Sequence, residues 1–449
     1  MGPGGEEVAG RLAEAGLHVT GVEARLVGGE CPYWGCVPSK MMIRAAGLLA
    51  EARRIPGMAG LSAVTADWGP VARRIRDEAT DSWNDKVAVD RFTGKGGHFV
   101  RGRARIIAPG EVTVDTGDGV RVFRARRGVV IATGTEPAVP PVGGLAGTPY
   151  WTNREAIETE DVPESLIVLG GGAVGAELAQ VFARFGARVT VAEALPRLLP
   201  AEEPEAGKLL AGVFTRAGIT VRTGARAERV GHDGRDFTVK LAGGETLTGQ
   251  RLLVAAGRRT GLAALGIAAV GLDESARAIG VDDRMRAAEG VWAIGDVTGE
   301  GAFTHVAMYQ AGIAVRDILG QDGPGADYRA LPRVTFTDPE VGSVGLTEAQ
   351  AREQGLTVRT GITQIPSSAR GWIHKADNEG FIKLVEDAER GVLVGATSAG
   401  PAGGEVLGTL VVAVHAQVPV PHLRTMIYAY PTFHRAIEDA LRDLANGTS

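Results

Sequence analysis

The chain has 449 residues, too many for one core, and its length points to about three domains. Hydrophobic residues make up 44% and charged residues 22%, with a net charge of −5 of mixed sign; this composition is that of a folded protein and excludes the basic footprint of a nucleic-acid or anionic-membrane binder. No apolar run approaches the ~18 residues of a transmembrane helix, and the opening "MGPGGEEVAG" lacks the regions of a signal peptide, so a cytoplasmic protein is expected.

The first segment carries Gly2, Gly5, Ala9, Ala13, Gly16, Val19, Thr20 and Glu23. The same residue types return 170 positions later, as Gly172, Gly175, Ala179, Ala183, Gly186, Val189, Thr190 and Glu193. In the second copy the apolar run Leu166-Ile167-Val168-Leu169 reads as a buried parallel strand. It leads into Gly170, Gly172 and Gly175, then a helix with small residues on its packing face, then a strand ending at Glu193. Glycines there permit a tight turn and close approach to a pyrophosphate at a helix N-terminus. The terminal glutamate accepts hydrogen bonds from a ribose diol and repels a 2′-phosphate, so the unit is read as a dinucleotide site preferring NAD to NADP. Arg197 lies close enough in sequence to leave NADP open. Subtracting the same offset from Gly170 passes Met1. The first glycine and strand of the upstream copy are therefore expected before Met1, in a natural chain about ten residues longer.

Between the copies, residues 28–40 read "GGECPYWGCVPSK" and hold the chain's two cysteines, Cys31 and Cys36. In a reducing compartment a lone pair is a poor structural staple and a better candidate for redox or metal chemistry. A closed zinc site wants four ligands and no histidine lies near in sequence, so no metal is expected.

Further motifs follow in order: "VVIATGTEPAVPP" at 129–141, "LLVAAGRRTGL" at 252–262, "GVWAIGDVTG" at 290–299 and "TDPEVGSVGLTE" at 337–348. Together with the cysteine segment they resemble the flavin-dependent pyridine nucleotide-disulfide oxidoreductases, the family of dihydrolipoamide dehydrogenase, glutathione reductase and mercuric reductase. The resemblance covers essentially the whole chain. It implies FAD on the N-terminal unit through Gly2, Gly5, Glu23, Lys40, Thr133, Gly134, Asp296 and Thr304, and NAD through Gly170, Gly172, Gly175, Glu193 and Gly257. It also implies a redox-active Cys31–Cys36 disulfide. Cys36 would open the helix "CVPSKMMIRAAGLLAEARR", with Pro38 in its first turn, and a helix N-terminus favours the thiolate of a flavin-facing sulfur. Cys31 would be the interchange thiol. Lys40 resembles the family lysine beside the flavin and Glu177 the carboxylate that pairs with it; outside this context the two would read as an ordinary helix surface pair.

The pattern breaks at the end of the chain. Where dihydrolipoamide dehydrogenase and glutathione reductase carry H-P-T-x-x-E, whose histidine and glutamate reach the partner subunit's site, this chain reads "AYPTFHRAIED". Tyr430 replaces the histidine and Arg435 the glutamate. Acid–base catalysis is worth about 10²–10⁴ in rate, and a tyrosine, with an ordinary pKa of ~10, is a poor base at neutral pH. His434 lies four residues on, a full turn away if a helix starts near Pro431, and reads better as a surface or core histidine than as a substitute base. Mercuric reductase also has tyrosine here, yet receives its metal through a further C-terminal cysteine pair that this chain lacks. Tyr33 and Trp34, between the cysteines, either narrow the approach to Cys31 or pack beneath the domain.

The expected fold is α/β, with two Rossmann-like dinucleotide-binding domains and a C-terminal α+β dimerisation domain. The FAD domain comprises residues 1–148 and 264–328, the NAD(P) domain 149–263 and the dimerisation domain 329–449. The expected function is that of a homodimeric, dihydrolipoamide dehydrogenase-like enzyme passing electrons between nicotinamide, flavin, the cysteine pair and a small-molecule acceptor, with no nucleic acid or membrane partner. Two alternatives stand beside it: a reductase of a quinone, metal ion or oxygen, which needs no acid–base histidine, and a catalytically silent flavoprotein serving as a binding subunit.

Overall fold

In the computed structural model, which describes residues 1–446, the apolar run at 166–169 is the buried core of the strand Ser165–Leu169. The described chain divides into two units, Met1–Ser39 with Ala72–Ala138 and Gly257–Asp327, and Lys40–Val71 with Val139–Ala256 and the residues from Tyr328 on.

In the first unit the helix Pro3–Glu14 presents Val8 and Leu12 to Ala311, Ala314 and Val315 of the helix Thr304–Ile318. Small residues let the backbones approach: a Cβ on Gly4 would stand 2.8 Å from the Ala307 carbonyl oxygen. The strand Thr20–Glu23 pairs in parallel with His98–Arg101. Val129–Ile131 pairs in parallel with Val291–Ala293, which pairs antiparallel with Arg286–Ala288. An antiparallel meander, Arg103–Ala108, Glu111–Asp115 and Val120–Arg124, completes the unit's main sheets. These elements bring the ends of Thr20–Glu23 and Val129–Ile131 and the starts of both helices to the candidate site.

In the second unit four parallel strands lie in the order Thr220–Arg222, Arg188–Ala192, Ser165–Leu169, Arg251–Val254. The burial of both faces of the two strands Ser165–Leu169 and Arg251–Val254 follows from helices such as Ala173–Arg184 packing over a parallel sheet. The 170-residue repeat is geometric as well as sequential: Pro3–Glu14 and Ala173–Arg184 both span 12 residues and begin the same offset apart. The C-terminal part is a five-stranded antiparallel sheet in the order Pro332–Thr335, Glu340–Gly345, Val392–Gly400, Phe381–Asp387, Val358–Gln364. Leu407, Leu410, Leu441 and Leu444 of the helices Gly403–His415 and Ala436–Asn446 fill its core. No helix among the described residues is long and apolar enough to cross a membrane.

Candidate active site

The short helix Glu30–Tyr33 carries Cys31, and Cys36 is the first residue of the helix Cys36–Arg54, the span read from sequence. Gly28 and Gly29, with φ of +108° and +66°, make the turn that feeds the first of these helices. The Val27 N–H just before them donates to the buried Asp85 carboxylate at 2.7 Å. Tyr33 is buried and Trp34 half-buried, their ring centroids 5.9 Å apart, so the first aromatic is part of the packing beneath the pair. Cys31 is half-buried and Cys36 exposed, both as thiols. The Thr304 hydroxyl, on the first residue of Thr304–Ile318, lies 3.4 Å from Cys36 Sγ. A hydrogen bond from Cys31 to Cys36, with burial second, pushes the Cys31 thiol well above the usual cysteine range. The pair is therefore asymmetric: the proton stays on Cys31, while the helix N-terminus favours negative charge on Cys36.

Around them stand the glycines and acids expected to hold a dinucleotide. Gly2 caps Pro3–Glu14, and a Cβ there would meet nothing within 4 Å, whereas a Cβ on Gly29 would stand 2.8 Å from Gly2 Cα and one on Gly5 2.9 Å from Ala132 Cβ. Glu23 Oε1 accepts from the Arg25 N–H at 2.7 Å. Thr133 and Gly134, the latter at φ +64°, lie in the loop after Val129–Ile131. Asp296 is held by Thr135, whose hydroxyl donates to Oδ2 at 2.7 Å, and Arg258 donates to the same threonine's hydroxyl and carbonyl at 2.7 and 2.8 Å. The buried Gln310 takes the Gly295 N–H at 2.6 Å and so fixes the loop that bears Asp296. Thr135, Arg258 and Gln310 escaped the sequence reading; Thr135 and Arg258 lie inside the motifs at 129–141 and 252–262, but only the fold shows that they meet. Gly257, at φ +112°, accepts the Ala138 N–H at 2.9 Å. This backbone cradle with an acidic strand end fits FAD.

In the second unit Lys40 Nζ donates to Glu177 Oε2 at 2.8 Å, and the Phe336 N–H donates to Glu177 Oε1 at 2.8 Å. The Lys40 ammonium also sits 4.6 Å from the Phe336 ring centroid. Glu177 is 7% exposed and Lys40 35%, so this is no ordinary surface pair. Phe336, too, was not recognised from sequence.

The loop expected to hold the second dinucleotide sets its glycines in different surroundings. Gly170 adopts φ +114°. Gly172 caps its helix with open space around it, and Gly175 packs against the Gly170 carbonyl, which a Cβ would strike. Glu193 is buried, its carboxylate accepting from the Gly171 N–H at 2.6 Å and the Leu195 N–H at 2.7 Å. Arg197 donates to the Pro200 and Glu202 carbonyls at 2.8 and 3.0 Å, so its guanidinium is committed to its own loop.

The chain's end differs from expectation in one respect. No helix starts near Pro431: residues 430–435 run through two turns and a bend, and the helix begins at Ala436. The Thr432 hydroxyl donates to the Ala429 carbonyl at 2.7 Å and accepts the Arg435 N–H at 3.3 Å, closing a turn where a helix would otherwise start. Tyr430 is 70% exposed, with the Arg435 guanidinium 5.4 Å from its ring centroid. His434 Nε2 lies 3.4 Å from the Thr432 hydroxyl.

Comparison with known proteins agrees over nearly the whole chain. Residues 1–311 match the sequence model of the pyridine nucleotide-disulphide oxidoreductase family, and residues 331–441 that of the same family's dimerisation domain. The chain is 35% identical to a dihydrolipoyl dehydrogenase of Chlorobaculum tepidum, covering 98% of this chain and 95% of that protein. It is 34% identical to a mercuric reductase of Shigella flexneri, covering 96% and 78%. A solved structure, the Cu(II) complex of the HOCl-induced flavoprotein disulfide reductase RclA from Escherichia coli, superposes with a TM-score of 0.85 at 26% identity, covering 98% of this chain and 97% of that one.

Proposed function

The chain belongs to the pyridine nucleotide-disulphide oxidoreductase family and is an FAD-dependent NAD(P)H oxidoreductase, and from that premise we propose that its electrons leave through the Cys31–Cys36 pair. The observation that carries this reading is the asymmetry of the pair. Cys36 heads a helix of 19 residues within reach of the Thr304 hydroxyl, while Cys31 keeps its proton in a hydrogen bond to it. Bound FAD supplies the exchange of electrons between a hydride donor and a sulfur pair. Cys36 is the sulfur that faces it, Cys31 the thiol that meets the acceptor, and Lys40, held by Glu177, takes the part of the family lysine that serves the flavin.

NAD is the preferred donor: the buried Glu193 at the end of its strand suits a ribose diol and repels a 2′-phosphate, and Arg197 is turned into its own loop. The working unit is a homodimer built through the C-terminal domain, a reading the dimerisation-domain match supports.

The test is anaerobic addition of one equivalent of NADH to the oxidised, FAD-loaded enzyme. A disulfide, NADH and a proton yield two thiols and NAD⁺, so two new titratable thiols per chain are expected. Loss of flavin absorbance with no new thiols would show that electrons stop short of the pair.

A second acceptor class is favoured by one observation, the placement of Tyr430 and Arg435 where a histidine and a glutamate were expected. An acceptor that needs no proton from the chain, a quinone or a metal ion, suits that surface, and two of the similar proteins are a mercuric reductase and a flavoprotein solved with Cu(II). Replacing both cysteines by serine separates the readings: persistent NADH–quinone turnover would exclude an obligatory role for the pair.

A further inference from the structure

We propose that Phe336 is a positioning residue of the Lys40–Glu177 pair, its ring holding the Lys40 ammonium and its peptide N–H holding the Glu177 carboxylate. The inference rests on the reading of Lys40 and Glu177 given above and adds a residue to it.

The geometry gives each polar atom one task. Glu177 Oε2 receives Lys40 and Oε1 receives the Phe336 N–H, both at 2.8 Å, so the carboxylate cannot turn without losing one of them. Lys40 has a long, flexible side chain, and a single ion pair leaves it several rotamers. The Phe336 face, 4.6 Å from Nζ, adds a second, directional attraction and selects one of them.

Phe336 is itself pinned. It follows the strand Pro332–Thr335, and in the segment after it the Asp338 N–H donates to Gln180 Oε1 at 2.7 Å while Gln180 Nε2 donates to the Asp338 carbonyl at 2.8 Å. Glu177 and Gln180 are three apart on one helix and share a face. Residues 336 and 338, two apart in the bend that follows the strand, both send their N–H groups to that face. The two spacings match, so the helix that opens at Gly172 grips the segment carrying Phe336 at two points and fixes where its ring stands. Thr337 between them is buried, its hydroxyl donating to the Pro339 carbonyl at 2.8 Å.

Removing the ring alone leaves the peptide N–H, so Phe336→Leu separates the two roles: Glu177 stays anchored and Lys40 loses its second contact. The experiment uses the full chain loaded with FAD, treated briefly with an amine-acylating reagent and read by peptide mass spectrometry at Lys40. Phe336→Leu should speed acylation of Lys40 roughly threefold to tenfold, the range a cation–π contact supports, and Phe336→Tyr should hold it within about twofold of the parent. The flavin midpoint potential, measured against a reference dye, should move in Phe336→Leu and return in Phe336→Tyr. If Phe336→Leu does not fold, Phe336→Met takes its place, with the same expectation. Unchanged Lys40 labelling and potential in the folded ring-less variant would overturn the proposal. Failure of NADH to reduce the parent's flavin would instead overturn the reading of the site, and the labelling of Lys40 would still decide the role of Phe336.

Discussion

Gly2 and Gly172 open their helices with the same backbone, φ −71° and ψ −174° at one and φ −73° and ψ −175° at the other. Each is followed three residues later by a glycine with no room for a side chain, Gly5 against Ala132 and Gly175 against the Gly170 carbonyl. The helices end before Gly16 and Gly186, at φ +85° and +105°. Glu23 and Glu193 each accept the N–H two residues on at 2.7 Å. One glycine-led helix with an acid at the end of the next strand is thus built twice, and its glycines differ in their surroundings.

That difference is measurable at the second copy. Gly172→Ala meets open space in an ordinary extended backbone, so its melting temperature should stay within about 2 °C of the parent while NADH binds about tenfold more weakly and FAD content is unchanged. Gly175→Ala forces a methyl group into a backbone carbonyl and should cost about 1–3 kcal/mol of stability. Thermal melts with an NADH titration decide it; equal destabilisation by the two variants would refute the division of labour.

The cysteine pair makes a prediction about pH. Hydrogen bonding to Cys36 and burial raise the Cys31 thiol, so its protonated form persists above the ordinary thiol range of ~8.5. The stability this bond contributes is full below the unfolded thiol's pKa and is lost as pH rises through the raised folded value. In the reduced protein without FAD, iodoacetamide at pH ~7.5 should label Cys36 before Cys31. Cys36→Ser should bring the onset of Cys31 labelling down towards the ordinary range, as read by peptide mass spectrometry across pH; an unchanged Cys31 profile would refute the coupling.

The parts legible in sequence are those specified by neighbours along the chain. A four-residue apolar run, glycines at fixed spacing and a terminal acid define the strand, the loop and Glu193. The helix Cys36–Arg54 declares itself by Pro38 in its first turn. Phe336 was illegible because its partners, Lys40 and Glu177, lie far off in the chain and meet it only through the fold. At 429–435 a local signal misled: Pro431 resembles a helix start, but the Thr432 hydroxyl captures the backbone of its own turn and delays the helix to Ala436.

Asp338 ties the ends of two functional helices. It accepts from Arg54 of Cys36–Arg54 and from Arg184 of Ala173–Arg184, each at 2.5 Å. Burial opposes its ionisation, but Arg184 and Arg54 outweigh it and hold the carboxyl below the usual range. Its stabilising contribution is therefore full above the unfolded value of ~3.9 and lost as pH falls through the lower, folded one. Asp338→Asn leaves the largely buried Arg184 facing a neutral amide, while Arg54 keeps Asp377 and Glu51, and should cost about 1–3 kcal/mol near pH 7. Urea unfolding should show the cost shrinking towards pH ~3; a pH-independent cost would refute the charge argument.

The last prediction concerns the missing base. Arg435 lies over the exposed Tyr430 ring, pairs with Glu438 at 3.1 Å and donates to the Tyr428 carbonyl at 3.3 Å, so it cannot orient a histidine as a carboxylate would. His434 is engaged with Thr432 inside its own turn, and His434→Gln should leave NADH-driven turnover within about twofold with either acceptor class. Tyr430→His combined with Arg435→Glu should instead raise reduction of a small disulfide by about 10²-fold, the usual worth of a general base, and leave quinone reduction unchanged. Steady-state rates with the two acceptors measure this directly. Equal gains on both would mean that the substitutions opened the site, whereas a gain confined to the disulfide would mean that this chain gave up proton transfer when Tyr430 took the histidine's place.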